Sequence, residues 1–512
     1  MIENDSPCFK TSKTLEKINK AYTENNGIKF EQRDFVEPLY KFCTNEIYDD
    51  GKLGIVFGLR FTGKTVGMLQ VAELLVEQGY KVAYAKFMYQ DSGLLAISNE
   101  IEKLADKGYT HFFVDEASRL YHFVNYISDW SERLIMERKI KIVISGKDNF
   151  LIWTVQRSPL LEQYVEFATN FMSFPEYKRL TGESFSLYKA NGGIFKTPPM
   201  VDYIHSAIVE NLMNTIECCT EEADYISDYA RFLYGIQAFD IYKSIASIFK
   251  CIIEIHIKEQ FSRNNAMKNI PDMGIGLSKS PGKVKENIIK RVASSILIYT
   301  PYRILERPFV AIGMIIEFLS KIGCLLEIPY GSSDLPGSTD MSYAFCHNAL
   351  MSYCLKETVT GMLKNDIGNR EPLADGIWQA AEDCLNENII KTHIAAGIGT
   401  GDTFFKYHDI VGRKIDAVII NREVKTLILI EVNSDRHINQ NTIFRKEAVY
   451  LFNNDIIDNI GIDNTFKITR VIVYYGENEI LFNKGKALLL VNIENFLEHF
   501  QDLGGYFDQL RE

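Results

Sequence analysis

The sequence predicts an α/β protein in which a parallel sheet with alternating helices precedes a helical middle region and a second α/β domain. Short apolar runs that end in glycine or acidic residues, such as "KLGIVFG" and "HFFVDEAS", are typical of buried parallel strands. Apolar residues three and four apart, as in "MVDYIHSAIVENLMNTIE", predict helices. Near the C-terminus, "GRKIDAVIINREVKTLILIEVNS" indicates two strands around a turn.

The length of 512 residues suits about three domains, because folding units usually hold roughly 100 to 200 residues. The pattern divides the chain into an N-terminal helical segment, a first α/β domain, a helical region and a second α/β domain. Their expected bounds are 1–50, 51–200, 201–365 and 366–512. No internal repeat or low-complexity linker separates them.

The net charge and the cysteine content disfavour a basic nucleic-acid binder and a disulfide-rich or zinc-knuckle protein. The net charge of −11 disfavours a uniformly basic nucleic-acid binder, although a local basic face is compatible with it. Nine scattered cysteines, of which only Cys218 and Cys219 are close together, indicate reduced thiols rather than a disulfide framework or a metal knuckle.

No membrane or export segment is expected. The N-terminus "MIENDSPCFKTSKTLEK" lacks the apolar core of a signal peptide, so the cytoplasm is the expected location. The apolar stretch from Phe309 to Ile328 contains Glu317 and Lys321, whose charges would be costly inside a bilayer. We therefore expect a buried helix there.

One short loop carries the clearest chemical signal. The stretch "GLRFTGKT" satisfies G-x-x-x-x-G-K-[ST], in which backbone N–H groups surround phosphates, the lysine reaches the outer ones and the hydroxyl ligates Mg²⁺. A strand from Leu53 to Phe57 precedes it, and a helix from Val66 to Glu77 follows, which puts the loop at a helix N-terminus that favours anions. The alternative is an ordinary strand-to-helix turn with an incidental Lys64.

Polar residues at the ends of two further strands would complete this site. A strand from His111 to Val114 ends in Asp115, expected to hold Mg²⁺, and Glu116, expected to act as general base on the attacking water. The strand "KIKIVIS" ends in Ser145, which we expect beside the phosphates as a sensor, and "KVAYAKF" adds another strand. The alternatives are a helix N-cap for the acidic pair and a simple capped strand end for Ser145.

The segments "FGLRFTGKT", "FFVDEAS", "VISGKDN" and "FMSFPEYKRL", in this order, resemble the AAA-type P-loop ATPases of bacteria and archaea that carry a C-terminal nuclease-like domain of unknown function. The resemblance implies ATP and Mg²⁺ as cofactors, and an ATPase core closed by Ser173 to Tyr177. It also implies an arginine inside the phosphate loop. The residues expected to contact the nucleotide are then Gly58, Arg60, Thr62, Gly63, Lys64, Thr65 and Val66. This chain lacks the arginine that often precedes the closing segment, where "LEQYVEF" stands, so no arginine finger is assigned.

In the middle region, apolar residues three and four apart predict helices, which would form a lid over the nucleotide. The resemblance implies a winged helix within this region. Its basic stretch, residues 268–291, would contact DNA, with Lys285, Lys290 and Arg291 neutralising phosphates along a groove. The alternative is a solvated helix face, since charge runs usually have that role.

The C-terminal hairpin brings two carboxylates together. If its loop has an even number of residues, Asp416 and Glu431 share one face, and a two-residue loop at Glu423 and Val424 makes them directly opposite. Two such carboxylates form a possible Mg²⁺ site for cutting a phosphodiester. The alternative is an ion pair of Glu431 with Arg413 or Lys414.

The resemblance extends to this hairpin, because D-x₁₄-E-x-K is the centre of the restriction-endonuclease-like fold. Asn433 stands where that pattern has its lysine, and losing such a group costs typically about 10²- to 10⁴-fold in rate. The expected domain is therefore a PD-(D/E)xK-like domain with degenerate catalysis. Lys446 would be a substitute for the lysine, and Glu382 a further metal ligand.

Three functions follow as hypotheses. The first is an AAA-type ATPase whose C-terminal domain binds DNA or a protein partner. The second is a metal-dependent nuclease regulated by ATP, and the third is a nucleotide-gated binding module without turnover. A homo-oligomer is compatible with all three.

Overall fold

The structure is a computed structural model that describes the chain in several stretches. They are residues 7–25, 28–44, 52–59, 62–87, 93–117, 130–146, 163–192, 241–263, 284–299, 308–331, 341–366, 371–409, 413–434 and 448–511, with the single positions 120, 127 and 443.

The N-terminal segment contains helices, as expected, and also short strands. Its elements are β1 (Lys10–Thr11), α1 (Ser12–Thr23), β2 (Glu24–Asn25), β3 (Ile28–Lys29) and α2 (Val36–Cys43). Strand β1 pairs antiparallel with β5 at the edge of the first sheet. The segment is thus attached to the domain that follows it.

The first sheet has six strands in the order β1-β5-β6-β7-β4-β8, and all but β1 run parallel. The central residues of strands β4 to β7 are apolar, because both faces of these strands are covered. The elements are β4 (Leu53–Phe57), α3 (Lys64–Glu77), β5 (Val82–Lys86), α4 (Leu94–Ala105), β6 (His111–Asp115), a π-helix (Trp130–Met136), β7 (Lys141–Ser145) and β8 (Tyr164–Ala168). The four strands expected from the sequence are therefore confirmed.

Two short helices, α5 (Phe174–Thr181) and α6 (Phe185–Asn191), close this unit. Ser173 is the N-cap of helix α5, and its side chain accepts a hydrogen bond from the Glu176 N–H at 3.2 Å. Their aromatic side chains pack into the hydrophobic core that lies under the second sheet. The end of the first unit is thereby fixed to the rest of the chain.

The middle region is only partly helical. Its described helices are α7 (Ile241–Arg263), α8 (Val284–Tyr299) and α9 (Pro308–Lys321), followed by an antiparallel hairpin of β9 (Leu325–Gly331) and β10 (Met341–Phe345). The sequence predicts helices in this region, and the hairpin departs from that expectation. The apolar stretch begins as a buried helix, turns at Gly323, whose φ is +69°, and continues as a strand.

The second sheet has eight strands in the order β10-β9-β11-β12-β13-β14-β16-β15. Strands β11, β12 and β13 form an antiparallel meander, and β14 then pairs parallel with β13. The strands after β10 are β11 (Asp402–His408), β12 (Lys414–Asn421), β13 (Thr426–Val432), β14 (Lys467–Tyr474), β15 (Glu479–Asn483) and β16 (Lys486–Asn492). The hairpin expected from the sequence is present as β12 and β13.

Helices cover both faces of this sheet. They are α10 (Asn348–Asp366), α11 (Glu371–Gly397), α12 (Asn454–Ile460), α13 (Ile493–Glu498) and α14 (Leu503–Gln509). The long helix α11 packs against β13 and β10 within the largest apolar core, and α12 lies in the core of the opposite face.

The seven cysteines within the described stretches are free thiols. In the same stretches, no helix is both long and apolar enough to cross a membrane. No group of three or more histidine, cysteine, aspartate or glutamate side chains with metal-binding geometry occurs among the residues described.

Candidate functional site

The glycine loop lies between strand β4 and helix α3, in the order that the sequence indicates. Gly58 has φ of +150° and Gly63 has φ of +88°, so both positions favour glycine. A Cβ atom on Gly58 would lie 2.1 Å from the Thr169 hydroxyl oxygen. Helix α3 begins at Lys64, which directs its first N–H groups toward the loop. This arrangement suits an anionic group such as phosphate.

The loop is held by hydrogen bonds of its own residues. The Thr62 hydroxyl donates to the Leu59 carbonyl at 2.8 Å and lies 2.6 Å from the Thr169 hydroxyl. The Lys64 ammonium donates to the carbonyls of Gly58 at 2.6 Å and Leu59 at 2.8 Å. The side chain of Lys64 therefore lies over the glycine loop and is bonded to its carbonyl groups. Arg60 lies outside the described residues, and Val66 lies in the first turn of α3.

Asp115 lies at the end of β6 and contacts three hydroxyl groups. Strand β7 separates β6 from β4, yet the Thr65 hydroxyl still reaches Asp115 Oδ2 at 2.8 Å. The Tyr84 hydroxyl donates to the same oxygen at 2.9 Å, and the Ser145 hydroxyl donates to Oδ1. Burial and the Asp115 charge raise the pKa of Tyr84 far above its ordinary value, which keeps this hydroxyl a donor.

Glu116 follows directly and has strained backbone geometry. Its φ of +61° is in the left-handed region, which costs a non-glycine residue about 1 to 3 kcal/mol. Its N–H donates to the Ser145 hydroxyl oxygen at 3.2 Å. Ser145 thus contacts both acidic residues, and it orients the strand end that carries them.

The donor set fits the metal and the anion that the motif implies. A threonine hydroxyl and a buried carboxylate lie side by side, and hard oxygen ligands of this kind suit Mg²⁺. They adjoin a glycine loop at a helix N-terminus, where phosphate oxygens are favoured. The structure therefore brings together Lys64, Thr65, Asp115, Glu116 and Ser145.

Arg33, in the segment before α2, was not expected at this site. Its guanidinium donates to both carboxylate oxygens of Glu176, at 2.7 and 3.0 Å. It also donates to the carbonyls of Thr62 at 2.6 Å, Thr169 at 3.0 Å and Phe171 at 2.9 Å. The glutamate of "SFPEY" therefore holds an arginine that fixes the phosphate loop. No local sequence pattern predicts the pair of Arg33 and Glu176, because the two residues lie 143 positions apart.

Asn170, just after β8, links the loop to the second half of the chain. Its Oδ1 accepts from the Leu59 N–H at 2.7 Å, and its Nδ2 donates to the Ile322 carbonyl at the end of α9, at 2.5 Å. His347 Nε2 lies 3.5 Å from the same Oδ1. Burial, with the charges of Arg33 and Lys64, lowers the pKa of His347 to about 3, so this histidine is neutral.

The C-terminal carboxylates have the expected register. Ala417 pairs with Ile430, so Asp416 and Glu431 occupy the next opposed positions, and the turn of residues 422–425 is centred as expected but is four residues long. Both acids are buried. Asp416 Oδ2 accepts from the Val432 N–H at 3.0 Å, so this carboxylate caps its own sheet.

Buried ion pairs surround this hairpin. Lys406 of β11 contacts Glu259 of α7 at 2.5 Å and Glu387 of α11 at 3.2 Å, and Lys391 also pairs with Glu387. Burial lowers the pKa of Lys391, against the opposing charges of Glu387 and Asp416. Burial opposes ionisation of Glu259, but Lys406 and Lys414 outweigh it and hold the pKa of Glu259 below its usual value.

These partners differ from those considered in the sequence. Glu382 is half-exposed and pairs with Lys189 at 2.9 Å, whereas the buried acid of α11 is Glu387. The signal for Glu387 was its i, i+4 spacing from Lys391 on a mostly apolar helix. Lys446 lies outside the described residues, and the Asn433 N–H donates to the Val473 carbonyl at 2.9 Å.

The basic helix α8 is largely neutralised by its neighbours where the structure describes it. Lys290 pairs with Glu286, and Arg291 pairs with the buried Glu254. Lys268, Lys279 and Lys283 lie outside the described residues.

Residues 50–178 match the family model of an AAA domain. The chain therefore contains an AAA-type P-loop ATPase domain, with the parallel sheet of P-loop NTPases. No curated protein matches the chain.

Several solved structures are similar. Orc1 of Aeropyrum pernix in complex with DNA has 11% identity and a TM-score of 0.25, over 70% of this chain and 100% of that one. PCH-2 of C. elegans has 16% identity and a TM-score of 0.22, over 31% of this chain and 48% of that one. A DNA replication initiation factor has 13% identity and a TM-score of 0.21, over 59% of this chain and 95% of that one. Likenesses at such scores carry no information about what this chain does.

Proposed function

We propose that the first α/β domain binds ATP with Mg²⁺ and hydrolyses it. The observation that carries the proposal is the contact of 2.8 Å between the Thr65 hydroxyl and Asp115, across the end of β7. It joins the two halves of a phosphate site that lie 50 positions apart in sequence. An ordinary strand-to-helix turn gives no reason for that convergence.

Each residue has a distinct role in this proposal. Thr65 and Asp115 would hold Mg²⁺, which neutralises charge on the phosphate oxygens. Lys64 leaves the carbonyls of Gly58 and Leu59 to contact the outer phosphates, and the N–H groups at the start of α3 bind the same oxygens. Glu116 accepts the proton of the attacking water, and Ser145 fixes the position of Glu116 and Asp115.

Calorimetric titration with ATP and MgCl₂ tests the binding step. We expect the wild-type chain to bind and Lys64→Ala to lose measurable affinity, because the outer phosphates lose their cation. Glu116→Gln should retain binding and lose hydrolysis, because the amide cannot accept the proton. Unchanged ATP affinity in Lys64→Ala would refute the proposal.

The C-terminal domain, in our proposal, is nuclease-like in fold and serves as a binding domain without cleavage. Three features support this role over an active nuclease. Asp416 is engaged by the Val432 N–H, Lys391 and Lys406 are engaged by buried glutamates, and Asn433 stands at the position of the missing lysine. The winged helix remains part of the proposal, supported by the order of three helices and a hairpin in α7 to β10.

The opposed Asp416 and Glu431 keep an ATP-regulated nuclease as the second candidate. Incubation with DNA or RNA and Mg²⁺ or Mn²⁺ separates the two. We expect no cleavage, and DNA or protein partners retained in an ATP-dependent manner. Cleavage by the wild-type chain that disappears in Asp416→Ala would establish the nuclease instead. Mobility shifts with duplex DNA at low salt test the basic stretch 268–291.

A further inference from the structure

A second lysine stands beside the oxygens that the phosphate motif assigns to magnesium. Lys86 is the last residue of β5, and its ammonium nitrogen lies 3.4 Å from Asp115 Oδ2 and 3.5 Å from the Thr65 hydroxyl oxygen. Its side chain is 27% exposed, whereas Asp115 is 1% exposed. The ammonium therefore lies at the boundary between the buried carboxylate and solvent, on the side from which a ligand would approach.

The fold determines this position. Strands β5 and β6 are parallel neighbours, and their register pairs Lys86 directly with Asp115. Adjacent residues in such a register project to the same face of the sheet. The ring of Tyr22, on helix α1, lies 5.1 Å from the same ammonium group. Lys86 is thus held between the N-terminal segment and the site.

The charges around Asp115 indicate a role for Lys86. The three hydroxyl donors around Asp115 are neutral, so they stabilise the buried carboxylate without cancelling its charge. The motif lysine, Lys64, is occupied with loop carbonyls. Lys86 supplies a positive charge to Asp115, and it does so at the oxygens that a divalent cation would use.

We propose that Lys86 is a resident counter-ion of the magnesium site, and that it allows ATP to bind in the absence of Mg²⁺. This inference rests on the function proposed above. Without the metal, the ammonium is close enough to Thr65 to meet the phosphates at the start of α3. When Mg²⁺ binds, the ammonium gives up Asp115 and Thr65, so the lysine and the metal compete for the same oxygens.

The competition predicts a measurable linkage between Mg²⁺ and ATP. Replacing Lys86 with methionine keeps the length of the side chain and removes its charge. In EDTA, Lys86→Met should weaken ATP affinity by about tenfold or more, the loss expected for one charge-assisted hydrogen bond. In saturating MgCl₂, its affinity should equal or exceed that of the wild type. The dissociation constant in EDTA divided by that in MgCl₂ should therefore be about tenfold or more higher in Lys86→Met than in the wild type.

Matched variants separate charge from structure. Lys86→Arg keeps the charge and should retain most of the binding in EDTA. Lys81→Met removes an exposed lysine next to the other end of β5, where its ammonium donates to the Lys107 carbonyl at 3.0 Å, and should leave the ratio unchanged. Binding of Lys86→Met in MgCl₂ also shows that this variant is folded.

The decisive experiment is calorimetric titration of the full chain with the β,γ-imido analogue of ATP, in MgCl₂ and in EDTA. An unchanged ratio in Lys86→Met, with normal wild-type binding in MgCl₂, overturns the assignment of Lys86 and leaves the proposed function standing. An equal loss in both conditions also overturns it. If the wild type fails to bind in MgCl₂, the proposed function fails, and the Lys86 proposal fails with it.

Discussion

Asp115 shows how single residues shape this site. Its buried carboxylate is surrounded by the hydroxyls of Thr65, Tyr84 and Ser145 and by one ammonium group. Each of the three hydroxyl groups donates a hydrogen bond to one of its carboxylate oxygens. They also fix its orientation before any ligand arrives, which avoids reorganisation during the reaction.

Ser145→Ala tests whether this orientation matters for hydrolysis. The change removes the donor to Asp115 and the acceptor for the Glu116 N–H, so the strained backbone of Glu116 loses a support. We expect kcat for ATP hydrolysis to fall by about 10- to 100-fold, with ATP affinity nearly unchanged, because the lost contacts orient Asp115 and Glu116 and leave Lys64 and the N–H groups of α3 in place. Steady-state kinetics and calorimetry provide the two values.

The control for this variant is Ser98→Ala. Ser98 is also buried and accepts a hydrogen bond from the Trp130 indole at 2.6 Å, but it lies on α4. Its loss should affect stability and leave kcat near the wild-type value. If the two alanine variants had the same kcat, Ser145 would have no special part in catalysis.

At the scale of structural elements, the segment before α2 is bonded directly to the phosphate loop. Arg33 joins that segment to helix α5 through Glu176, and to the loop through the Thr62 carbonyl. Both charged side chains are buried, so each depends on the other for compensation. A Cβ on Gly67 would meet the Phe35 ring at 2.3 Å, which shows how closely the same segment packs on α3.

Arg33→Met should therefore destabilise the chain strongly. Removing one partner of a buried pair costs about 3 to 5 kcal/mol, because Glu176 keeps its charge without compensation. We expect the midpoint of thermal unfolding to fall by about 10 °C. ATP affinity should also fall, since the loop loses the bond to the Thr62 carbonyl.

Arg179→Met provides the comparison. Arg179 lies on α5 like Glu176, but its ion pairs with Glu31 and Asp34 are exposed, and surface pairs contribute about 0 to 1 kcal/mol. Its midpoint should remain within about 2 °C of the wild-type value. If the midpoint of Arg33→Met fell as little as that of Arg179→Met, the Arg33–Glu176 pair would contribute no more stability than a surface ion pair.

Strands β4 to β7 could be predicted because parallel strands covered on both faces appear as continuous apolar runs. The hairpin of β9 and β10 could not, because β9 begins soon after an apolar helix and has no regular alternation of burial. Strand β11 was also missed. It contains Lys406 at a break in register, and a buried lysine in a strand is explained only by Glu259 and Glu387, which come from other elements.

The same division applies to the candidate site. Lys64, Thr65 and Asp115 could be predicted because a local motif encodes the loop and a strand end encodes the carboxylate. Arg33 and Asn170 could not, since their partners are set by tertiary packing between distant segments. Lys86 had a usable signal, the carboxyl end of a strand next to the acidic strand, but that signal needs the order of strands in the sheet.

At the scale of the whole molecule, the buried neutral His393 connects the first α/β unit to the C-terminal half. The Phe174 N–H donates to His393 Nε2 at 2.9 Å, and His393 Nδ1 donates to the Ile389 carbonyl at 2.7 Å. These two bonds require the neutral ring with its proton on Nδ1. His347 lies beside Asn170 near the phosphate loop, and His256 faces the ion pairs of Glu259, Glu387, Lys391 and Lys406.

These histidines predict a loss of stability in mild acid. Burial lowers the pKa values of His256 and His393 to about 4, and that of His347 to about 3, whereas the unfolded chain binds these protons near pH 6.5. The unfolded state therefore holds more protons between pH 6.5 and 4. The contribution of these neutral histidines to the free energy of unfolding is fully present above pH 6.5. It is lost as the pH falls, by about 1.4 kcal/mol per pH unit for each extra proton that the unfolded state binds.

Thermal unfolding at pH 7, 6 and 5 measures this effect, and His393→Gln isolates one part of it. Glutamine keeps an acceptor for the Phe174 N–H but takes up no proton, so the decline of the midpoint from pH 7 to 5 should be shallower than in the wild type. A wild-type midpoint that stays constant down to pH 5, or an equal slope in His393→Gln, would contradict the account of a neutral histidine at this junction.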